Sequence, residues 1–106
     1  MSDTNTITQP PAMSLSKVAL LLSHVARWQI LRELAKGEAL PTSELGRRAG
    51  MRPNATSRHL STMRRMGLLS KGYGGLYSLV PAYRPAPGTA TIDFGHCVIR
   101  LDTPVS

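Results

Sequence analysis

From Ser14 the chain runs LSKVALLLSHVARWQILRELAKG, and its apolar positions Leu15, Val18, Leu21, Leu22, Val25, Ile30, Leu31 and Leu34 recur at spacings of three and four. That period marks amphipathic helix with one face turned to a core. Ser14 or Ser16 is placed to cap the start, and Gly37 to close the end in a left-handed turn. The apolar stripe changes phase at Ser23 and His24, so two helices are predicted rather than one. Pro41 then stops one element, and Thr42 is the predicted N-cap of the next, with Glu44 in its first turn facing the positive end of the helix dipole. A third short helix follows from about Ser43 to Ala49. Gly50 ends it, and Pro53 suits the first position of a fourth, NATSRHLSTMRRM, because its missing N–H is not needed there; Gly67 closes that helix.

The period then shortens. In LLSKGYGGLYSLV, two strand-like runs flank a Gly-Tyr-Gly-Gly tip whose glycines supply positive φ, which predicts a β-hairpin. PAYRPAPG can continue neither a helix nor a central strand and reads as a linker. In ATIDFGHCVIRLD, Ile92, Phe94 and Val98 share one parity and Cys97, Ile99 and Leu101 the other, so a strand there is apolar on both faces and expected to be covered on both. The predicted organisation is a disordered lead over 1–13, a main domain of four helices and the hairpin over 14–80, a proline-rich linker over 81–90, and a C-terminal strand over 91–106 that packs on the domain or on a dimer mate. The class is mainly α with a small hairpin wing. Two short helices across a tight glycine turn, followed by a glycine-tipped hairpin, describe a winged helix-turn-helix, here with an extra C-terminal strand.

Composition sharpens the functional side. A chain of 106 residues has room for one domain, and a partner subunit would help it bury surface. Lys and Arg number 13 against 6 Asp and Glu, a net charge of +7 that attracts phosphate polyanions or anionic lipid. Between Glu44 and Lys71 the bases Arg47, Arg48, Arg52, Arg58, Arg64, Arg65 and Lys71 face Glu44 as the single acid. No apolar run approaches the roughly 18 residues of a membrane span. The opening MSDTNTITQPPAM lacks the basic and apolar regions of a secretory signal, and the lone Cys97 cannot form an internal disulfide; both fit a cytoplasmic protein. No phosphate-cradling glycine loop, paired carboxylates or activated nucleophile appears, so no enzyme activity and no cofactor are expected.

On the fourth helix Thr56, Leu60 and Met63 fall on an inward face. Asn54, Ser57, Arg58, Ser61 and Arg65 fall on an outward stripe of hydrogen-bonding and cationic side chains, the types that match base edges in a major groove. Arg58 suits guanine and Asn54 adenine. Arg47, Arg48, Arg64 and Lys71 are placed to meet phosphates, which fix register without reading sequence. Arg52, Ala55 and His59 complete the candidate surface, His59 as a flanking residue, while Tyr73 and Gly74 at the hairpin tip can approach the minor groove.

The segments HVARWQILRELAKGE, SELGRRAGMRPNATSRHLSTMRRMGLL and the hairpin, roughly Leu15 to Val80, resemble the ArsR-type winged-helix repressors, most specifically through SRHLSTMRRMGLL, which is similar to that family's recognition-helix pattern. The resemblance implies a homodimer on inverted-repeat operators that represses by occlusion and releases DNA when a ligand binds. Metal and arsenical sensors of the family carry closely spaced cysteines in the first helix of the motif, where this chain has Leu40-Pro41-Thr42-Ser43. The linker and strand also stand where the family has a C-terminal dimerisation helix, leaving the helix from Ser14 as a dimer face and the last strand to pair with the other subunit or cover a sheet edge.

Two further functions compete. One is a metal- or redox-responsive repressor using His96 and Cys97, with Asp93 nearby. Against it, adjacent strand residues point to opposite faces, and Cys97 shares its side with Ile99 and Leu101 as a buried cysteine would. His24 reads as a packing or capping histidine. The other is a winged-helix module for RNA or protein, which would lack the steep salt dependence of duplex binding.

Overall fold

The computed structural model describes residues 13–95 and 97–102. Four helices come first: α1 (Leu15–Leu22), α2 (Val25–Leu34), α3 (Thr42–Ala49) and α4 (Pro53–Arg65). The Ser14 side chain caps α1 by accepting from the Lys17 N–H at 3.2 Å. The chain breaks at Ser23 and His24 as the phase change requires. Pro41, not Thr42, is the cap of α3, and it offers no side-chain bond; Thr42 is already the first helical residue. Proline's fixed φ suits that entry, so the helix begins one residue sooner than the threonine suggests.

Two antiparallel hairpins follow. Strands β1 (Leu69–Lys71) and β2 (Tyr77–Leu79) pair with Leu69 opposite Leu79 and Lys71 opposite Tyr77, forming the wing. Its free edge is extended by Leu40, whose N–H donates to the Tyr77 carbonyl at 2.9 Å while the Tyr77 N–H donates back at 2.8 Å. The predicted single C-terminal strand is instead a hairpin of β3 (Thr91–Asp93) and β4 (Val98–Arg100). The Asp93 side chain accepts from the Gly95 N–H at 2.8 Å, and Gly95 takes φ +93°, a local turn that outcompetes continued strand. The turn also breaks the expected parity: Ile92 and Phe94 are buried, but Val98 is exposed.

This second hairpin packs on the domain within the same chain. Phe94 and Ile92 enter the core with Leu21, Ile30, Leu31, Leu60 and Met63. The Phe94 ring lies 5.6 Å from that of Tyr83, so the proline-rich stretch contributes to packing. The Met13 N–H donates to the Phe94 carbonyl, and Arg32 Nε to that of Leu101 at 2.9 Å. Leu15 and Val25, placed on the buried stripe by their spacing, are exposed, as is Leu20. No described helix is long and apolar enough to cross a membrane.

Helices α3 and α4 cross at their closest at Gly46. A Cβ built there would lie 2.7 Å from Thr56 Oγ1 and 3.3 Å from the Met51 carbonyl. Thr56 is fully buried, and its hydroxyl donates to the Arg52 carbonyl at 2.8 Å, which fixes it against the glycine. Gly50 then turns the chain at φ +68°. Its N–H reaches the Arg47 carbonyl and the Met51 N–H reaches that of Gly46, satisfying the end of α3.

A cluster of charges closes the other side of α3. Arg48 donates to Glu44 (2.7 Å), to Glu33 on α2 (2.9 Å) and to Glu38 in the intervening loop (3.2 Å). Arg47 also grips Glu44. Hydrogen bonds from Arg47, then Arg48, hold the Glu44 carboxyl at about 2.

Two outcomes test these contacts. Gly46→Ala should lower stability by about 1–3 kcal/mol through overpacking. Adding Thr56→Ala should recover much of that loss beyond the sum of the single effects, as a double-mutant cycle in denaturant will show. A carboxylate with a depressed folded-state pKa stabilises above its unfolded value of 4.5 and loses that contribution as pH falls toward 2. Thermal melts should therefore decline through that window, and Glu44→Gln should flatten the decline by its own share.

Candidate nucleic-acid interface

Helix α4 is divided by burial along its length. Thr56, Leu60 and Met63 are wholly buried and seat the helix on the core, so the opposite face is held outward by packing that truncation of Leu60 or Met63 would weaken by about 2–5 kcal/mol. On that outward face Asn54, Ser57, Arg58, Ser61 and Arg65 line one shallow open depression. All five are exposed. The predicted reading stripe is thus a continuous surface of donors, acceptors and cations on a rigid helix.

The other predicted residues divide into three groups. Arg52 precedes the first turn of α4 and Arg64 lies in its last turn, both exposed. Lys71 ends β1, with its ammonium 5.6 Å from the centre of the Tyr77 ring. Tyr73 projects fully exposed from the wing tip beside Gly74, which takes φ +76°. These four side chains are exposed at the two ends of α4 and on the wing, three of them cationic and one aromatic.

Arg47 and Arg48 are engaged differently from the expectation that they meet phosphates. Arg48 is half-buried and committed to Glu33, Glu38 and Glu44. It clasps α2 to α3, and two of its acids come from outside the basic segment, where counting along the sequence does not reach. Arg47 shares Glu44, but its side chain keeps 70% exposure and remains open to a second partner.

Ala55 and His59 lie on the flank of α4, beside the α1–α2 corner, and not on the open stripe. Nδ1 of His59 accepts from Arg27 Nε at 3.0 Å, and its ring centre lies 5.0 Å from that of His24. Burial, followed by the neighbouring charges of Arg27, His24 and Arg58, holds the His59 pKa below its usual value. Arg27 itself is 6% exposed. Its place on the apolar side of an amphipathic helix was the sequence signal for this contact, an arginine where the period calls for an aliphatic residue.

Cys97 sits just before β4, half-buried against the core. It lies in the turn, so the strand-face argument does not apply to it. His96 lies outside the described residues. Among those described, no group of three or more His, Cys, Asp or Glu residues is arranged to hold a metal ion.

Residues 22–71, just under half of the chain, match the family described as helix-turn-helix domain. The matched span runs from the end of α1 through α2, α3 and α4 to the last residue of β1. No curated protein matches the chain. Four helices, the tight turn after α3 and the antiparallel wing after α4 make this chain a winged helix-turn-helix, a fold whose second motif helix enters the major groove of DNA.

Proposed function

We propose that this protein is a sequence-specific transcriptional regulator that binds duplex DNA as a homodimer on an inverted repeat and represses by occlusion. The observation that carries this reading is the stripe Asn54, Ser57, Arg58, Ser61 and Arg65, exposed along one face of the second motif helix. Arg58 reads guanine through two of its donors and Asn54 reads adenine, while Arg52, Arg64 and Lys71 meet phosphates. Tyr73 at the wing tip enters the adjacent minor groove. The ArsR-type family supplies the nearest analogy for mechanism, without the cysteine metal ligands of its sensors. The exposed apolar residues Leu15, Leu20 and Val25 on α1 and at the start of α2 support a dimer face there. The site of action is the cytoplasm, and the role is binding, not catalysis.

Fragments selected from random or genomic DNA should share an inverted repeat with half-sites about one helical turn apart, and the complex should have the size of a dimer. On that site Arg58→Ala should cost about 1–3 kcal/mol, with little loss on random duplex. Arg64→Ala and Lys71→Ala should weaken both alike and each lower the salt slope by about one. Equal losses on both DNAs for Arg58→Ala would overturn the base-reading role.

A further inference from the structure

Beside α4, a cleft of about 330 Å³ opens between its flank and the corner where α1 passes to α2. Its lining is His24, Arg27, Ala55, Arg58, His59 and Thr62. Four of these six are arginine or histidine, and none is acidic.

The central feature is the buried guanidinium of Arg27. Its Nη1 donates to the Leu20 carbonyl at 2.9 Å and its Nε to His59 Nδ1 at 3.0 Å. A guanidinium has five donors, and these contacts use two. Among the described residues no carboxylate pairs with Arg27; the ion pairs there join Glu33, Glu38, Glu44 and Asp102 to other bases. A cation withdrawn from water without a counter-charge is disfavoured, and an entering anion removes that penalty.

The neighbours are set for the same role. Because His59 Nδ1 accepts from Arg27, the ring proton belongs on Nε2, which makes that nitrogen a donor. Arg58 lines both this cleft and the shallow depression of the reading stripe. An anion in the cleft therefore lies next to the surface on which DNA is read.

We propose that this cleft is a binding site for a phosphate group, with Arg27 as its buried anchor, His24 and His59 as further donors and Arg58 shared with the stripe. The phosphate has two possible sources. It is a backbone phosphodiester of a duplex seated on α4, in which case the inference rests on the DNA-binding reading, or it is free phosphate, which then competes with the duplex for Arg58 and stands without that reading.

The test uses the full chain. Ring-carbon NMR signals of His24 and His59 are followed while inorganic phosphate replaces chloride at constant ionic strength, in the parent, His24→Ala and Arg27→Met. In parallel, the salt dependence of duplex binding is measured for the parent and Arg27→Met. His24 is exposed, so its removal leaves the core intact, and melts of each variant verify folding. A saturable shift in the parent that is lost in Arg27→Met assigns a free-phosphate site. Silence toward phosphate, with a salt slope lower by about one in Arg27→Met on every duplex, assigns a DNA backbone contact. Silence toward phosphate with an unchanged slope overturns the proposal, as does silence in a chain that binds no duplex. The phosphate arm needs no DNA, so failure of the site and failure of the DNA reading are separable.

Discussion

The close approach of Gly46 to Thr56 is the contact on which the remaining architecture depends. Two helices pack this tightly only where one offers no side chain, and here the facing residue is a threonine fixed by its own bond to Arg52. That contact sets the spacing of α3 and α4 while Gly50 sets the turn between them. With the spacing fixed, Leu60 and Met63 reach the core together, and everything on the opposite side of α4 is forced outward. The stripe from Asn54 to Arg65 is exposed because the inward face is fully used.

Charge follows the fold more than the sequence. Along the chain the charged residues from Glu44 to Lys71 are almost all basic, yet in space Glu33 and Glu38 close on the half-buried Arg48 and engage it. What remains open in that segment lies along α4 from its cap at Arg52, at Lys71 on the wing, and at Arg47 on α3. This separation has a functional logic. Arg48 joins α2 to α3 and supports the scaffold, while Arg58 and Arg64 remain unconstrained by internal acids and available to a polyanion. Removing Arg48 would be felt first as lost stability, and only through that as weaker binding.

The elements legible in the sequence are those governed by local chemistry. The phase change at Ser23 and His24, Pro53 at the first turn of α4 and the glycines of the wing each impose their conformation within a few residues, and the structure follows them. The inward and outward faces of α4 were legible for the same reason, since helical period alone assigns them. The C-terminal hairpin was not, because alternating apolar residues on both sides of Asp93-Phe94-Gly95 mask a turn that depends on one side-chain bond. Nor was the position of His59. Helical spacing places it beside the stripe, and only the packing of α2 against α4 brings Arg27 within 3.0 Å of its ring.

That last contact joins the scaffold to the reading surface. Arg27 belongs to α2, the Leu20 carbonyl it grips belongs to α1, and His59 belongs to α4, so one buried guanidinium ties three helices at a single point. A guanidinium there holds position only while His59 Nδ1 remains an acceptor. Burial disfavours a charged His59 ring, and protonation would in addition set it against the Arg27 cation; both hold its pKa down. The proposed phosphate would offset the charge of Arg27 while leaving His59 Nδ1 free to accept from it. In the proposed site, anion binding and His59 protonation would be coupled through Arg27, on the flank of the helix whose Arg58 lines both the cleft and the exposed stripe.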